Sequence, residues 1–176
     1  MKRILCMLAA SAALAWGQDK PALPAAFSPL NLELTVYLVT GLTQAQASDK
    51  DEVPQDLASV LQQLQGVFTY KRYKLIEAVT MRGRNMGGAN VEGGLPDYTR
   101  YVFRYARARI SPETPHMVHL DGLVLKIVRG FKTTSEPIAV VETDLDIKDG
   151  QKTVVGKTSV NGPDAIFLVI VPKVVE

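Results

Sequence analysis

The chain has very little of the two residue types that form disulfides and most zinc sites. Of its 176 residues one is a cysteine, Cys6, and two are histidines, His116 and His119. Cys6 lies in an N-terminal segment that we predict to be removed, so we expect no disulfide in the mature chain. The histidines are three apart, and positions three apart on a strand face opposite sides, so we do not expect them to share a zinc ion.

The chain also lacks an apolar N-terminal run long enough to remain in a membrane. Residues 4–15 are apolar, but a membrane-spanning helix needs roughly 20 such residues. The run follows Lys2 and Arg3 and precedes Ala15-Trp16-Gly17, which is the pattern of a secretory signal peptide over residues 1–17. We predict cleavage before Gln18, with cleavage after Ala15 as the alternative. The mature chain is then periplasmic or secreted and does not span the membrane.

An excess of one charge is missing as well. Loss of Lys2 and Arg3 leaves 18 of the 20 basic residues against 18 acidic residues. A formal net charge of zero gives no support to general polyanion binding. We therefore do not expect nucleic acid as a partner.

The sequence after the signal peptide is organised as a tether and one domain. Residues 18–30 contain Pro21, Pro24 and Pro29 among small residues and are expected to be extended. The remaining residues, 31–176, are enough for a single domain with its own core.

Periodicity predicts one helix among several strands. Residues 32–38 alternate apolar and polar, which is typical of a half-buried strand. Over residues 54–65 the apolar positions recur at helical spacing, and Gly66 suits the C-terminal cap. Further strands are expected over residues 67–82, 98–110, 118–129 and 138–147. The glycine-rich residues 83–96 are expected to be a long mobile loop or hairpin connection.

The C-terminal residues 140–175 hold three strand-like runs separated by two turn signals. Asp149-Gly150 predicts a hairpin, and residues 161–164 predict a second turn. The last run is consecutively apolar, which indicates a strand covered on both faces. The pattern as a whole predicts a mainly β (α+β) fold: an antiparallel β-sandwich or half-barrel with one packed helix.

One predicted strand combines arginine and aromatic residues in a way that suggests binding. We select as candidate binding residues Arg100, Tyr101, Phe103, Arg104 and Tyr105, together with the loop over residues 84–94. Alternation along one continuous strand places Arg107 and Arg109 on the same face as these aromatic rings. The alternative is internal: the arginine strand lies beside the acidic strand and forms cross-strand ion pairs.

The acidic strand carries Glu142, Asp144 and Asp146 on one face, since they alternate along the sequence. Such a row could bind calcium outside the cytoplasm or supply paired carboxylates for hydrolysis. The simpler interpretation is a solvated outer face. No motif indicates a cofactor, and no nucleophile motif accompanies either histidine.

These observations predict an exported, non-catalytic envelope module that binds or assembles with an envelope protein or an anionic glycan. The alternative is a small extracytoplasmic hydrolase that uses the acidic residues at 142–146. The sequence leaves the oligomeric state open.

The C-terminal third also resembles a known family. A turn and strand, Asp149-Gly150-Gln151-Lys152-Thr153-Val154-Val155-Gly156, precede an apolar strand from Ile166 to Pro172-Lys173-Val174. This order is similar to the closing segment of bacterial secretin channel domains. The chain lacks that family's long transmembrane hairpins and the second glycine after Gly156. The resemblance implies an envelope β-module of similar edge geometry and carries over no catalytic residue.

Overall fold

The structure, a computed structural model, describes residues 30–44, 53–96, 99–130, 136–159 and 162–175. The predicted signal peptide and nearly all of the predicted tether lie outside these ranges. The described elements, in chain order, are β1 (Asn31–Leu42), a 3-10 turn (Gln55–Leu57), α1 (Ala58–Val67), β2 (Arg72–Arg84), β3 (Ala89–Leu95), β4 (Thr99–Tyr105), β5 (Arg107–Ile110), β6 (Met117–Arg129), β7 (Pro137–Lys148), β8 (Thr153–Thr158) and β9 (Ala165–Val175).

The strands form two antiparallel sheets that pack face to face. One sheet has the order β2-β1-β9-β8. The other has five strands, in which β4 and β5 pair one after the other with β6, β3 pairs with β4, and β7 pairs with the far side of β6. This arrangement confirms the predicted fold class in its sandwich form, with one helix.

The main core lies between the sheets. The apolar positions of β1 alternate inward as predicted, and the inner faces of β4, β6 and β9 supply their partners. The fully buried side chains of this layer include Leu32, Leu34, Phe103, Leu120 and Leu125. Burial of this much apolar surface is the main driving force for folding.

The helix α1 covers part of the outer face of the four-stranded sheet. Leu57, Val60 and Leu64 are buried there against Phe167 and Val169. The predicted helical stripe is therefore confirmed, but the helix ends at Val67, so Gly66 lies inside it rather than at its cap. No helix in the described ranges is long and apolar enough to cross a membrane.

The last strand is covered on both faces, as predicted. Leu168 and Ile170 of β9 point into the core between the sheets. Phe167 and Val169, the alternate residues, point to the helix. A consecutively apolar sequence is the consequence of this double cover.

The Asp149-Gly150 turn does not form the predicted hairpin. It carries the chain from β7 in one sheet to β8 in the other. Gly150 has a φ of 72°, so the local turn chemistry is as expected. The turn is bonded to distant strands, because Asp149 N–H donates to the His116 carbonyl and Gly150 N–H to the Pro172 carbonyl.

The predicted loop over residues 83–96 is also wrong. Only residues 85–88 form a turn, and Ala89–Leu95 is strand β3, paired along its length with β4. Gly93 lies opposite Tyr101, and a Cβ at Gly93 would lie 2.4 Å from that ring. The glycine makes room for a buried aromatic side chain instead of marking a loop.

Residues 99–110 are two strands rather than the single predicted one. The alternation changes phase at Ala106, which lies between β4 and β5. Tyr101, Phe103 and Tyr105 point into the core, whereas Arg107 and Arg109 point to solvent. The prediction that arginines and aromatic rings share one face was therefore wrong, because one extra residue moves every later side chain to the opposite face.

Candidate functional site

The candidate site is the outer face of the five-stranded sheet, on which no described helix lies. Its β4–β5 side carries Arg104, Arg107 and Arg109, and its β7 side carries the acidic row, so most of the charge is segregated by sign across the face. Between them β6 contributes the outward side chains of His119 and Asp121. The site therefore has basic and acidic borders on either side of one central strand.

The strand register brings Arg109, His119 and Asp146 side by side across three strands. Asp121, two residues after His119, lies on the same face. Its Oδ1 is 2.7 Å from His119 Nε2 and 3.1 Å from an Arg109 guanidinium nitrogen. His119 Nδ1 is 2.6 Å from Asp146 Oδ1. The four side chains form one ion-pair network across the sheet.

Both nitrogens of the His119 ring are hydrogen-bonded to carboxylates, which favours the imidazolium. The Asp146 hydrogen bond is the largest influence and raises the pKa of His119 above 6.5; the Asp121 hydrogen bond also raises it, and partial desolvation and Arg109 oppose the shift. For Asp121, desolvation raises the pKa, but His119 and Arg109 together outweigh it and hold the pKa below 3.8. These contacts therefore favour the charged forms of His119 and Asp121.

We expect the His119 imidazole to titrate with a midpoint above 6.5 and Asp146→Asn to lower that midpoint. Because the folded pKa is raised, this group's contribution to stability is complete below about pH 6.5 and falls as pH rises through the folded pKa. Two-dimensional NMR of the ring protons gives the midpoint. Glu142→Gln, two steps along the same acidic row, is the control and should leave it unchanged; an equal shift from both variants would contradict the network.

A bulge on β6 separates this network from the rest of the face. Asp121 and Gly122 together oppose a single residue of β7, since Leu120 pairs with Leu145 and Leu123 with Thr143. Gly122 has a φ of 58°, a conformation that glycine adopts without strain. Its N–H donates to Asp144 Oδ1 at 2.6 Å. Asp144 therefore satisfies a backbone donor that the bulge removes from the ladder.

Beside the bulge is a depression of about 470 Å³. Its lining includes small residues, Gly88, Ala106 and Gly122, and two charged side chains, Arg104 and Glu142. One row of the sheet crosses it, because Asn90, Arg104, Val124 and Glu142 are successive cross-strand partners. Val124 is only 2% exposed although it is on the outer face. The depression thus has a buried apolar floor with an arginine on one side and a glutamate on the other.

The structure separates the five arginine-strand candidates. Tyr101, Phe103 and Tyr105 are core residues with at most 3% exposure. Arg100 is bonded to Glu92 at 3.3 Å. Of the five, Arg104 and Tyr105 line the depression. Binding by this set stays a prediction, and only its arginines are on the solvent side of β4.

The acidic strand lies in the same sheet as the arginine strands but does not pair with them, because β6 lies between. The predicted direct cross-strand ion pairs were therefore wrong; the charges connect through His119 and Asp121 instead. As β7 pairs only with β6 in the described sheet, its alternating carboxylates lie on an edge strand. Charged side chains there discourage pairing with another chain.

The two histidines have separate partners. His116 Nδ1 is 2.8 Å from the Ser111 carbonyl oxygen, whereas His119 lies between two carboxylates. Among the residues that the structure describes, no three His, Cys, Asp or Glu are grouped so that they could hold a metal ion. Cation binding by Glu142, Asp144 and Asp146 stays a prediction.

A second depression, of about 560 Å³, lies at the edge of the other sheet and is lined by Asn31, Arg82, Gly83, Arg84 and Val175. Arg82 there already holds Glu33 at 2.8 Å. This region therefore has one of its cations neutralised within the chain, unlike the depression on the five-stranded sheet.

Sequence reasoning missed His119 and Asp121 as members of the charged face. A signal was present, since His-x-Asp on a predicted strand places both side chains on one face. Their partners Arg109 and Asp146 come from strands 10 or more residues away, and only the register brings them together.

The molecule is thus an antiparallel β-sandwich with one face partly covered by a helix and the opposite face charged. No protein-family model and no curated protein matches the chain. A comparison with solved structures finds the secretin InvG of the Salmonella SPI-1 type III secretion injectisome, in the open gate state. The match covers 84% of this chain and 61% of the secretin chain, at 8% identity and a TM-score of 0.41.

The secretin match is consistent with the weak resemblance that the C-terminal residues show. This chain spans less than two thirds of the secretin chain that it matches.

Proposed function

We propose that this chain is an exported, non-catalytic binding module of the bacterial envelope, and that it binds a protein partner through the outer face of its five-stranded sheet. The observation that carries the proposal is that the outer faces of the two sheets differ in how far they are covered. One is partly covered by α1, and the other, with no described helix on it, presents Arg104, Arg107 and the acidic row to solvent. Exposed, sign-segregated charge is suited to selecting and orienting a partner.

A protein partner fits this face better than an anionic glycan does. The basic and acidic borders are two strands apart, which is roughly 10 Å at the usual strand spacing. A uniformly anionic polymer on the arginines would therefore lie close to Glu142, Asp144 and Asp146 and be repelled by them. A protein surface that carries both signs can complement both borders.

The non-catalytic character rests on how the reactive groups are occupied. Both ring nitrogens of His119 are held by carboxylates, and Asp144 holds a backbone N–H. Of the three acidic candidates for hydrolysis, Glu142 is the one that lines a depression. That single observation favours the alternative, a small hydrolase, and Glu142→Gln would abolish such an activity.

We expect reversal of the basic border, Arg104→Glu with Arg107→Glu, to reduce capture of the envelope partner at least fivefold, because like charges then face each other. The measurement is crosslinking of the exported full chain in envelope fractions, with quantification of each bound protein. The matched control is Lys74→Glu with Lys173→Glu, which makes the same charge change at exposed positions of the four-stranded sheet.

Capture of the same protein at equal yield by all three chains would refute binding through this face. Recovery of glycan instead of protein would refute the proposed partner class. Loss of capture in the control alone would place the interface on the other sheet.

A further inference from the structure

We propose that the depression between Arg104 and Glu142 binds a short zwitterion, an amino acid or a dipeptide, with its carboxylate on Arg104 and its ammonium on Glu142. The proposal rests on the binding role of this face and names the ligand chemistry of one site on it. It starts from the row Asn90, Arg104, Val124 and Glu142, which crosses four strands in register.

Arg104 and Glu142 are the two charged side chains that line this depression. Arg82, Arg100 and Arg109 each hold a carboxylate at 2.8 to 3.3 Å. Within the described residues, Arg104 and Glu142 form no ion pair or side-chain hydrogen bond. Two opposite charges thus flank the same floor without neutralising each other.

The shape of the depression follows from small residues. A Cβ at Gly122 would lie 3.1 Å from the Ala106 Cβ, and one at Gly88 would lie 2.5 Å from the Ala106 carbonyl oxygen. No larger side chain fits at either position without a shift of its neighbours. The surface of the sheet is therefore recessed at this point, between the His119 ion-pair network and the row that contains Arg104.

The floor and the rims suit a small ligand with an apolar middle and charged ends. Val124 is almost fully buried on the outer face and supplies the apolar floor. The backbones of Arg104 and Glu142 are two strands apart, roughly 10 Å, and side chains stand roughly perpendicular to a sheet. Two hydrogen bonds of about 2.9 Å leave roughly 4 Å between the charged ends of the ligand.

A free amino acid or a dipeptide meets this spacing, since two extended residues span at most about 7 Å. The Arg104 guanidinium matches a carboxylate with two parallel donors. The Glu142 carboxylate accepts from an ammonium. The Asn90 side chain, which also lines the depression, can donate to or accept from a peptide group.

The test uses alanyl-alanine and two blocked forms, N-acetyl-alanyl-alanine and alanyl-alanine amide, titrated into the full chain by NMR. We expect alanyl-alanine to bind with a Kd on the order of millimolar and to shift the amides of Gly122 and Val124. Each blocked form should bind about tenfold more weakly, because one charged hydrogen bond is lost.

The variants assign each end of the ligand. Arg104→Gln removes the partner of the ligand's carboxylate, so alanyl-alanine amide should bind this variant as well as alanyl-alanine does. Glu142→Gln removes the partner of the ammonium, so N-acetyl-alanyl-alanine should bind that variant as well as alanyl-alanine does. Arg82→Gln, on the other sheet, is the matched control and should behave as the unmodified chain. Equal binding of all three probes to the unmodified chain, shifts confined to other residues, or no binding would refute the assignment.

The partner-capture measurement separates the two proposals. If the dipeptide fails to bind but reversal of the basic border still reduces capture, the zwitterion site is wrong and the binding face stands. If the dipeptide binds as expected but capture does not depend on the face, the ligand assignment stands and the partner proposal is wrong.

Discussion

Replacing Phe167 with alanine is expected to lower the free energy of unfolding by about 3 to 5 kcal/mol. Phe167 is fully buried on the helix side of β9. Its ring centroid lies 5.1 Å from that of Phe68 and 5.8 Å from those of Tyr70 and Tyr73. Removal of the ring leaves a cavity at the centre of this cluster, and the rigid neighbours cannot fill it.

Urea denaturation followed by circular dichroism measures the effect. Val67→Ala is the control, since Val67 is 74% exposed, and it should change stability by less than about 0.5 kcal/mol. If Phe167→Ala does not fold, Phe167→Leu should fold with a smaller loss, about 1 to 2 kcal/mol. A loss below 1 kcal/mol for the alanine variant would show that the helix does not cover β9 in this way.

Replacing Gly88 with alanine is expected to destabilise the fold by about 3 kcal/mol, near the upper end for an added methyl group. A Cβ at this position would lie 2.5 Å from the Ala106 carbonyl oxygen and 2.9 Å from that of Tyr105. Both obstacles are backbone atoms, so no side-chain rotation relieves the clash. The turn after β2 would have to move away from the junction of β4 and β5.

Gly94→Ala is the matched control for Gly88→Ala, because a Cβ at Gly94 meets nothing within 4 Å. It removes the same backbone freedom from a nearby glycine and should be neutral or slightly stabilising. Thermal unfolding of both variants measures the difference. Equal melting temperatures would contradict the close approach of the turn to the β4–β5 junction.

Local periodicity was sufficient for β1, α1 and β9. The alternation of residues 32–38, the helical stripe of residues 57–64 and the unbroken apolar run of residues 165–171 each report how one segment contacts its surroundings. These patterns are set by burial, and a buried segment has the same spacing of apolar residues wherever the covering element lies in the sequence. The fold class followed from them.

Strand β3 and the passage from β7 to β8 could not be predicted in this way. Glycines mark loops when only the local sequence is considered, but Gly93 is in a strand because the ring of Tyr101 lies over it. Asp149-Gly150 has the turn chemistry of a hairpin, yet its backbone donors bond to the carbonyls of His116 and Pro172. Both outcomes depend on partners far away in the sequence.

The candidate site, too, was predictable from the sequence only in part. The sequence alone determined which residue types are present: an arginine-rich strand, an acidic alternating strand and a His-x-Asp pair, in a chain with one cysteine. Tertiary structure placed β6 between the two charged strands and turned Arg107 and Arg109 outward at the phase change beside Ala106. It also left Arg104 and Glu142 on either side of Val124. The physical reason is that side-chain alternation is a local property of a strand, whereas strand order, register and bulges are fixed by hydrogen bonds and packing between distant segments.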